Sequence, residues 1–458
     1  MNTELSVADA LALLAPRVPV VGRTKTVAAA SALGRVLAQP VASRLDLPAF
    51  DNAAMDGYAL RAADATGPAT RLRLVGRALA GHAWGGTIGT GECVRITTGA
   101  PMPQGADAVV MQELARVAGD AVEIDGPIAA GLSCRLRGEH VRLGETVLLA
   151  GRRLASYDLG LIAAAGVARI DVHEWLRVGV LSTGNELADP PSPLPSGGAY
   201  DGNRPMLLAA LAQAGFEAID LGICPDRGDA FNAIVDRTLN MGLHALLTTG
   251  GAAQGDADIV RQAGSVEFVP LNIRPGRGVV FGLLHGDDPR PHPNPPPQAG
   301  EGEVPLPCEA GQGWGGGVAP GPKLASSDTP RPVAQVAPQE SRRRSPLVLI
   351  GLPGNAVAAY VMYRLLARPL LERMGGGEAR VPTALPLPLA SALRHKGGRT
   401  DYRRARIVTR ADGTPAVEPL AQQGSAMLLS LSDADVLIAV GPQAAYAAGD
   451  PIPTLPLN

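Results

Sequence analysis

"LRVGVLSTG", Leu176–Gly184, is an apolar run that ends in two hydroxyl residues and a glycine. Such a run is typical of a strand buried on both faces of a sheet. A helical pattern follows in "RPMLLAALAQAGF", then the strand pattern "EAIDLGI", the helical pattern "GDAFNAIVDRTLNMG" and the strand pattern "HALLTTGG". Strands that alternate with helices of this length predict a parallel, doubly wound α/β sheet. Ligands of such sheets bind beyond the carboxyl ends of the strands.

This α/β domain is predicted for residues 174–379 and includes a helix in "DADIVRQAG", a strand in "SVEFVPLNI" and the strand-helix unit "PLVLIGLPGNAVAAYVMYRLLARPLLERMGG". Residues 46–145 contain short apolar runs broken by Gly, Pro and Asp, which predict a small β-rich domain. Residues 380–458 carry the same all-β pattern. Residues 1–45 predict two helices, in "SVADALALLAPRV" and "TVAAASALGRVLAQPV", and "SYDLGLIAAAGVARI" predicts a third. Residues 287–345 are rich in Pro and Gly and poor in large aliphatics, so we expect this insertion to be disordered.

Bulk properties exclude several classes of protein. The net charge of −2 over 458 residues does not favour a general nucleic-acid or anionic-membrane binder. The four cysteines are far apart and form no CxxC pair, so neither a disulfide framework nor a zinc site is indicated. No uncharged apolar run approaches the ~20 residues of a membrane span. The N-terminus lacks a signal-peptide pattern, and we expect a cytoplasmic protein.

Four predicted turns share one chemistry. Glycines let the backbone approach an anion closely, and a following helix N-terminus presents free N–H groups. Hydroxyls and arginines add donors, while carboxylates can hold a Mg²⁺ ion that bridges phosphates. The turns therefore predict a site for a phosphorylated, metal-dependent ligand, with the contributing residues Ser182, Thr183, Gly184, Glu186, Asp226, Thr248, Thr249, Gly250, Gly251, Gly255, Asp256, Asp258, Arg274, Arg277, Gly351, Pro353, Gly354 and Asn355.

Other nucleotide and hydrolase motifs are missing from the sequence. There is no G-x-x-x-x-G-K-[ST], which argues against a P-loop NTPase. "GGTIGTGE" has glycines without a following helix pattern and is rejected as a dinucleotide fingerprint. No HExxH or GxSxG occurs. The sequence therefore does not indicate a P-loop, a dinucleotide fingerprint, or an HExxH or GxSxG site.

"LPAFDNAAMDGYAL", Leu47–Leu60, leaves two interpretations open. Asp and Asn bond their own backbone in turns, so Asp51 and Asp56 fit a structured loop that leads into a strand. The alternative is that these carboxylates serve a reaction. The stretch by itself does not decide between them.

Seven motifs together resemble the molybdopterin molybdenumtransferase family, which includes the E domain of gephyrin. They are "FDNAAMDGYA", "RITTGAPMPQGADAVVMQE", "LSTGNEL", "YDGNRPML", "TTGG…GDAD", "RPGRGVVFG" and "GLPGNAVAAYV". The resemblance implies a four-part homodimer: a helical arm for dimerisation (1–45 and 146–173), the β-rich domain (46–145), a molybdopterin-binding α/β domain (174–379) and a C-terminal β-barrel (380–458). It also implies insertion of molybdate into adenylylated molybdopterin with Mg²⁺, release of AMP, and a cleft between the α/β domain of one subunit and the second domain of the other.

Residue roles follow from the same resemblance. It implies that Asp56, Thr98, Glu186 and Asp258 are catalytic, with Asp56 and Asp51 lent across the dimer. Glu186, Asp226 and Asp258 would hold the metal. Candidate protein partners are the preceding adenylyltransferase and a molybdoenzyme. The implied pterin-binding residues are Ser182, Thr183, Gly184, Asp201, Thr249, Gly250, Gly251, Gly255, Arg274, Arg277, Pro353, Gly354 and Asn355.

Several positions depart from the family pattern. Arg274 and Arg277 replace lysines, and their planar forks are not point charges. Ala252-Ala253 replaces Val-Ser and removes a hydroxyl. His140 replaces an acid, and Ala356 replaces a proline. These departures keep a second hypothesis open, a non-catalytic protein that binds or delivers molybdopterin or its cofactor.

Overall fold

The structure, a computed structural model, describes residues 4–251, 259–260, 266–285, 346–395, 397–442 and 445–457. Its centre is a six-stranded sheet whose strands we number β1 to β6 in chain order. They are β1 Arg177–Thr183, β2 Glu217–Cys224, β3 Ala245–Thr249, β4 Val266–Pro270, β5 Gly278–Leu284 and β6 Leu347–Leu352.

The strands of the central sheet lie in the order β2-β1-β3-β6-β5-β4. The first four run parallel, whereas β5 is antiparallel to β6 and β4 is antiparallel to β5. The α/β prediction is confirmed, but the sheet is mixed rather than wholly parallel. The register pairs Ser182 of β1 with Thr249 of β3, and Thr249 with Leu352 of β6. The predicted turns that follow β1, β3 and β6 therefore begin side by side at the carboxyl edge of the sheet.

Helices cover both faces of this sheet. One face packs against the helix Asn203–Gln213 and against a continuous helical stretch, Ala356–Met362, a π segment Tyr363–Ala367 and Arg368–Met374. The other face packs against Gly228–Asn240 through Phe231, Val235 and Leu239. Apolar side chains at these helical spacings bury two separate cores, which is why the sheet is doubly wound.

The helix Val7–Leu14 also packs on the central core, through Val7, Leu11 and Leu14. It begins at Ser6, whose side chain accepts a hydrogen bond from the Asp9 backbone N–H at 3.1 Å, as a helix N-cap does. The first predicted helix is therefore confirmed, and it contributes to the α/β core.

The second predicted helix is wrong. The strand Thr24–Ala28, which includes the first three residues of that range, pairs antiparallel with Arg169–His173 and is followed by a short 3-10 turn, Ala29–Ser31. Gly34 has φ +73°, a conformation that interrupts a right-handed helix. Alanine favours helix only weakly, and pairing with a distant strand overrides that preference here. The third predicted helix is confirmed as Ser156–Ala164.

The β-rich region forms a second six-stranded sheet, as its sequence pattern predicts. Small two-stranded pairs flank it: Val41–Ala42 with Thr146–Leu148, and Asn52–Ala53 with Cys134–Arg135. Two 3-10 turns lie within it, Ala62–Asp64 and Gln112–Leu114. In spatial order, the six strands are Ala108–Met111, Gly57–Leu60, Glu92–Ile96, Thr70–Ala78, Ala121–Ile124 and Ala115–Ala118.

The C-terminal sheet includes one strand from the middle of the chain, Ile273–Arg274, which pairs with Thr400–Thr409. A short helix, Leu429–Ser432, and two small pairs complete the described elements: Leu393–Arg394 with Ala445–Tyr446, and Leu187–Ala188 with Ala199–Tyr200. Closure into a barrel stays a prediction. The C-terminal strands follow the path Ile273–Arg274, Thr400–Thr409, Val436–Val440, Pro451–Pro456 and Leu385–Pro388, with Pro415–Pro419 on the side of Thr400–Thr409.

Three predictions fall on residues outside this description. They are the disordered insertion at 287–345, most of the helix "DADIVRQAG", and every role given to Gly255, Asp256 and Asp258. Among the described helices, none is long and apolar enough to cross a bilayer.

Candidate active site at the carboxyl edge of the central sheet

Three buried hydroxyl groups mark the carboxyl edge of the central sheet. Ser182 and Thr183 end β1, and Thr248 lies near the end of β3; all three are at most 3% exposed. The Oγ of Ser182 and the Oγ1 atoms of both threonines have no hydrogen-bond partner among the described residues. A buried polar atom without a partner is rare and costs about 1–3 kcal/mol. A bound ligand or ordered water would satisfy these groups.

The turn after β3 lies directly against β1. Gly250 and Gly251 have φ values of +86° and +59°, in the region that favours glycine. A Cβ atom built on Gly250 would clash with the carbonyl oxygen of Thr183, and one on Gly251 would lie 2.9 Å from Thr183 Oγ1. Both the conformation and the close approach therefore require glycine at Gly250.

The side chain of Asn203 joins the ends of β3 and β6. Its Nδ2 donates hydrogen bonds to Thr249 Oγ1 at 2.7 Å and to the Gly354 carbonyl at 2.6 Å. Thr249 Oγ1 in turn donates to the Pro353 carbonyl at 3.2 Å. The Thr249 hydroxyl is thus used within the protein. Asn203 was not among the predicted site residues, although it lies in the quoted motif "YDGNRPML".

Asp201 lies beneath the site with a side chain only 1% exposed. Its Oδ1 accepts the backbone N–H groups of Asn203 and Arg204, each at 3.1 Å, and its Oδ2 accepts Arg204 Nε at 3.0 Å. Arg204 also pairs with Asp220 and Asp189. Although burial opposes it, the bonds from Arg204 and the Gly222 N–H lower the pKa of Asp220. Both oxygens of Asp201 are therefore occupied in starting the helix Asn203–Gln213.

Two predicted metal ligands follow neighbouring strands at this edge, Glu186 after β1 and Asp226 after β2. The exposed Glu186 folds its carboxylate back over Gly184. The backbone N–H of Asn185 donates to Asp226 Oδ2 at 3.3 Å, and the Asp226 N–H donates to Asn185 Oδ1 at 3.1 Å. No cluster of three potential ligands exists among the described residues. Two carboxylates nevertheless suit Mg²⁺, which is commonly held by one or two carboxylates together with water and substrate phosphates.

The arginine loop reaches the same edge from β5. A Cβ on Gly276 would lie 2.8 Å from Met362 Cε and 3.6 Å from Pro353 Cγ, so this loop packs against the turn after β6. Arg274 is half-buried and Arg277 is exposed. Neither has an ion pair with another described residue, and both are available to an anion.

The turn after β6 also meets the C-terminal region. Asn355 Nδ2 donates to Ser425 Oγ at 3.1 Å, and the Val357 N–H donates to the Ser425 carbonyl at 3.0 Å. The carbonyl of Ser425 thus occupies one N–H at the start of the helix Ala356–Met362. Gly354 lies against the β3 turn, since its added Cβ would be 3.6 Å from Gly250 Cα.

A second group of predicted residues lies in the β-rich region. Thr98 donates to Asp56 Oδ1 from its backbone N–H at 2.6 Å and from its Oγ1 at 2.8 Å. These bonds, aided by the charge of Arg95, lower the pKa of the exposed Asp56 carboxyl, which is therefore ionised at neutral pH. Asp51 Oδ1 accepts the Arg137 N–H at 2.7 Å, as a loop-stabilising carboxylate does. His140 is exposed beside Glu139, at 3.4 Å.

The two groups remain separate within one chain. Among the described residues no hydrogen bond or ion pair joins Asp56 or Thr98 to the carboxyl edge of the central sheet. The structure thus brings Ser182, Thr183, Glu186 and Asp226 together with the β3 and β6 turns. It places Asp56 and Thr98 in another group.

Comparison with known proteins agrees with this arrangement. Residues 5–166 match the MoeA N-terminal region (domain I and II), residues 179–373 match a probable molybdopterin binding domain, and residues 386–457 match the MoeA C-terminal region (domain IV). The matched molybdopterin-binding segment contains the whole central sheet except the first residues of β1. Fold and site therefore define a multidomain protein with a molybdopterin-binding α/β domain.

Similar proteins with known names identify the family within this class. A molybdopterin molybdenumtransferase of Synechococcus elongatus is 30% identical over 431 residues, 91% of either chain. One from Haemophilus influenzae is 28% identical over 438 residues, covering 93% of this chain and 92% of the relative. The crystal structure of a molybdopterin biosynthesis MoeA protein from Pyrococcus horikoshii has a TM-score of 0.73 at 23% identity, covering 99% and 100% of the two chains.

The chain belongs to the molybdopterin molybdenumtransferase family, a family of transferases in molybdenum cofactor biosynthesis. The resemblance of its motifs is thereby confirmed.

Proposed function

We propose that this protein inserts molybdate into adenylylated molybdopterin and releases AMP, with Mg²⁺ as its metal. The observation that carries the proposal is the carboxyl edge of the central sheet. Three buried hydroxyls with no hydrogen-bond partner among the described residues lie there, and the carboxylate residues Glu186 and Asp226 follow the neighbouring strands β1 and β2. A ligand that carries phosphates and binds a cation fits both kinds of group.

Two chemical changes make up the proposed reaction. The phosphoanhydride P–O bond between AMP and molybdopterin phosphate breaks as water adds, with hydroxide going to one phosphorus and a proton to the other product. Two Mo–S bonds form as two Mo–O bonds break, and the displaced oxo groups leave as water. The protons come from the dithiolene thiols and from solvent, and molybdenum is neither oxidised nor reduced.

Charge repulsion is the main barrier that the protein must lower. Molybdate, the dithiolene sulfurs and the phosphates are all negative, so they repel one another. Arg274 and Arg277, which have no ion pair with another described residue, can offset that charge. Glu186 and Asp226 would hold Mg²⁺, with Asp258 as the proposed third ligand; the ion would supply positive charge at the cleaved phosphate.

The Asp56 group would complete this site if a second chain supplied it. Asp56 and Thr98 have no hydrogen bond to the carboxyl edge of their own chain in the described part of the structure. We propose a homodimer in which Asp56 and Thr98 of one chain face the central sheet of the other. The protein would act in the cytoplasm, between the preceding adenylyltransferase and a molybdoenzyme.

A second function, non-catalytic binding or delivery of molybdopterin, is favoured by the substituted positions. Compared with the pattern that the resemblance implies, Arg274 and Arg277 stand for lysines, Ala253 stands for a hydroxyl residue, and the exposed His140 stands for an acid. Such a protein would keep the pterin pocket and lose the reaction.

One assay separates the two functions. The purified chain is incubated with adenylylated molybdopterin, Mg²⁺ and molybdate, and AMP and protein-bound molybdenum are measured together. The enzyme releases AMP in proportion to molybdenum incorporated. Retention of the adenylylated pterin without AMP release would identify the binding protein instead.

A further inference from the structure

The amide group of Asn203 has a fixed orientation. Nδ2 donates to two oxygen acceptors, Thr249 Oγ1 and the Gly354 carbonyl. Rotating the amide by half a turn would place Oδ1 against the Gly354 carbonyl oxygen, which cannot donate a hydrogen bond. The bonds therefore hold only with the nitrogen facing inward.

A chain of ion pairs, buried at Arg204 and Asp201 and half exposed at Asp220, anchors Asn203 from below. Arg204, whose side chain is 8% exposed, bonds Asp201, and Asp201 accepts the N–H group of Asn203. Arg204 also donates to both oxygens of Asp220 on β2, at 2.6 and 2.5 Å. The first turn of the helix Asn203–Gln213 is thus tied to β2 through Arg204.

We propose that Asn203 is a positioning residue that sets the distance between the β3 and β6 turns and thereby the shape of the pterin pocket. This inference rests on the proposed function, because the two turns it links, Gly250-Gly251 and Pro353-Gly354, form that pocket. Gly250 and Gly251 give the β3 turn little conformational constraint of its own. Asn203 joins the two turns through Thr249 Oγ1 and two backbone carbonyls.

The proposal gives Thr249 and Asp201 new roles. Thr249 Oγ1 accepts a hydrogen bond from Asn203 and donates one to the Pro353 carbonyl. Its hydroxyl therefore holds the β6 turn in place relative to Asn203 and does not bind the ligand. Asp201 starts the helix that carries Asn203. Both residues act through the turns that they hold, not through contact with the pterin.

Asn203→Asp tests the link with almost no change in size. It replaces two donors by acceptors that face the Gly354 carbonyl oxygen and the Thr249 hydroxyl. Gln213→Glu, at the exposed end of the same helix, is the matched control because it makes the same chemical change away from the site. Thr249→Val removes the shared hydroxyl.

Two readouts are used. The first is amide hydrogen exchange of the segments 248–251 and 353–357 in the free protein, which requires no activity. We expect exchange in both segments to rise about tenfold in Asn203→Asp, because each segment loses one hydrogen bond from Asn203, with unchanged exchange in Gln213→Glu. The second is the dissociation constant for adenylylated molybdopterin, expected to rise about tenfold at an unchanged melting temperature.

The outcomes distinguish this inference from the proposed function. If the unaltered protein fails to bind adenylylated molybdopterin, the proposed function fails, while the exchange data still report on the link. If it binds, and Asn203→Asp leaves both exchange and affinity unchanged, the positioning role is overturned. We also expect Asn203→Asp combined with Thr249→Val to weaken binding no more than Asn203→Asp alone, because both changes break one connection. Additive losses would contradict the shared connection.

Discussion

Thr98 donates two hydrogen bonds to a single oxygen of Asp56, Oδ1, and so leaves Oδ2 of that exposed carboxylate available. This relationship bears on both interpretations of the loop that contains Asp56. The bonded oxygen serves the loop, and the second oxygen has no hydrogen bond with a described residue. A role for Asp56 in the reaction stays a prediction.

Asp56→Asn keeps the size of the side chain and an oxygen that can accept from Thr98. We expect AMP release to fall about 100-fold or more, as on loss of a catalytic acid or base, with a melting temperature close to that of the unaltered protein. A large drop in melting temperature, at normal AMP release per folded molecule, would support the turn-stabilising role instead.

Thr98→Val removes the hydroxyl donor and keeps the backbone donor. Because these bonds lower the pKa of Asp56, the variant should have an Asp56 pKa closer to its ordinary value of about 3.9. Asp56 is ionised above its pKa and loses its charge as the pH falls, so the acid limb of the pH–rate profile should move to higher pH. An acid limb at the same pH would show that the Thr98 hydroxyl does not act on Asp56.

Arg204→Met tests the buried ion pairs beneath the site. It leaves Asp201, only 1% exposed, without its cation, which we expect to cost about 3–5 kcal/mol of unfolding free energy. Arg227→Met is the matched control, because Arg227 pairs with Asp229 at the surface, where the two side chains are 67% and 49% exposed. We expect Arg227→Met to lower the free energy of unfolding by less than about 1 kcal/mol. Equal costs in denaturant titrations would refute the anchoring role of Arg204.

Gly250→Ala tests the approach of the β3 turn to β1. Gly242→Ala is the comparison, since Gly242 has φ +66° and open space where a Cβ would stand. We expect Gly242→Ala to lower the free energy of unfolding by about 1–2 kcal/mol, because alanine is strained at a positive φ. Gly250→Ala should cost more in a denaturant titration, because the methyl group also meets the Thr183 carbonyl, and it should weaken pterin binding. The same stability loss in both variants, with unchanged pterin affinity, would contradict the close approach.

Thiol labelling tests burial at the end of β2. Burial raises the pKa of Cys224 to about 11 and that of Cys93 to about 12, so both thiols are protonated and shielded at pH 8. We expect iodoacetamide to leave both unmodified in the folded protein and to modify both in guanidinium chloride, as read by peptide mass mapping. Rapid labelling of Cys224 in the folded state would show that the sheet edge opens.

The α/β region was predictable because its signals are local. The strand "LRVGVLSTG" and the helix Asn203–Gln213 show their periods within single segments. Thr24–Ala28 was not predictable in this way, since its strand state depends on Arg169–His173, more than a hundred residues later. The direction of β5, opposite to that of the other five strands, likewise depends on its pairing with β6, which comes much later in the chain.

The internal hydrogen bonds of the site residues were not predictable from the sequence. The resemblance implies that Asp201 and Thr249 bind the pterin, which stays a prediction, and the structure shows their oxygens bonded to Arg204, Asn203 and Pro353. Residue type does not reveal which polar atoms the fold already uses. The same limit explains why Asn203, an ordinary amide at a helix start, was not predicted.

A mixed dimer most directly tests whether two chains build one site. Asp56→Asn and Glu186→Gln chains, each inactive alone, are unfolded together, refolded at equal amounts and assayed for AMP release. In half of the refolded dimers one of two sites would combine an intact Asp56 with an intact Glu186, so activity should return to about a quarter of the unaltered level. No recovery, in a mixture shown to contain the heterodimer, would contradict a site shared between chains.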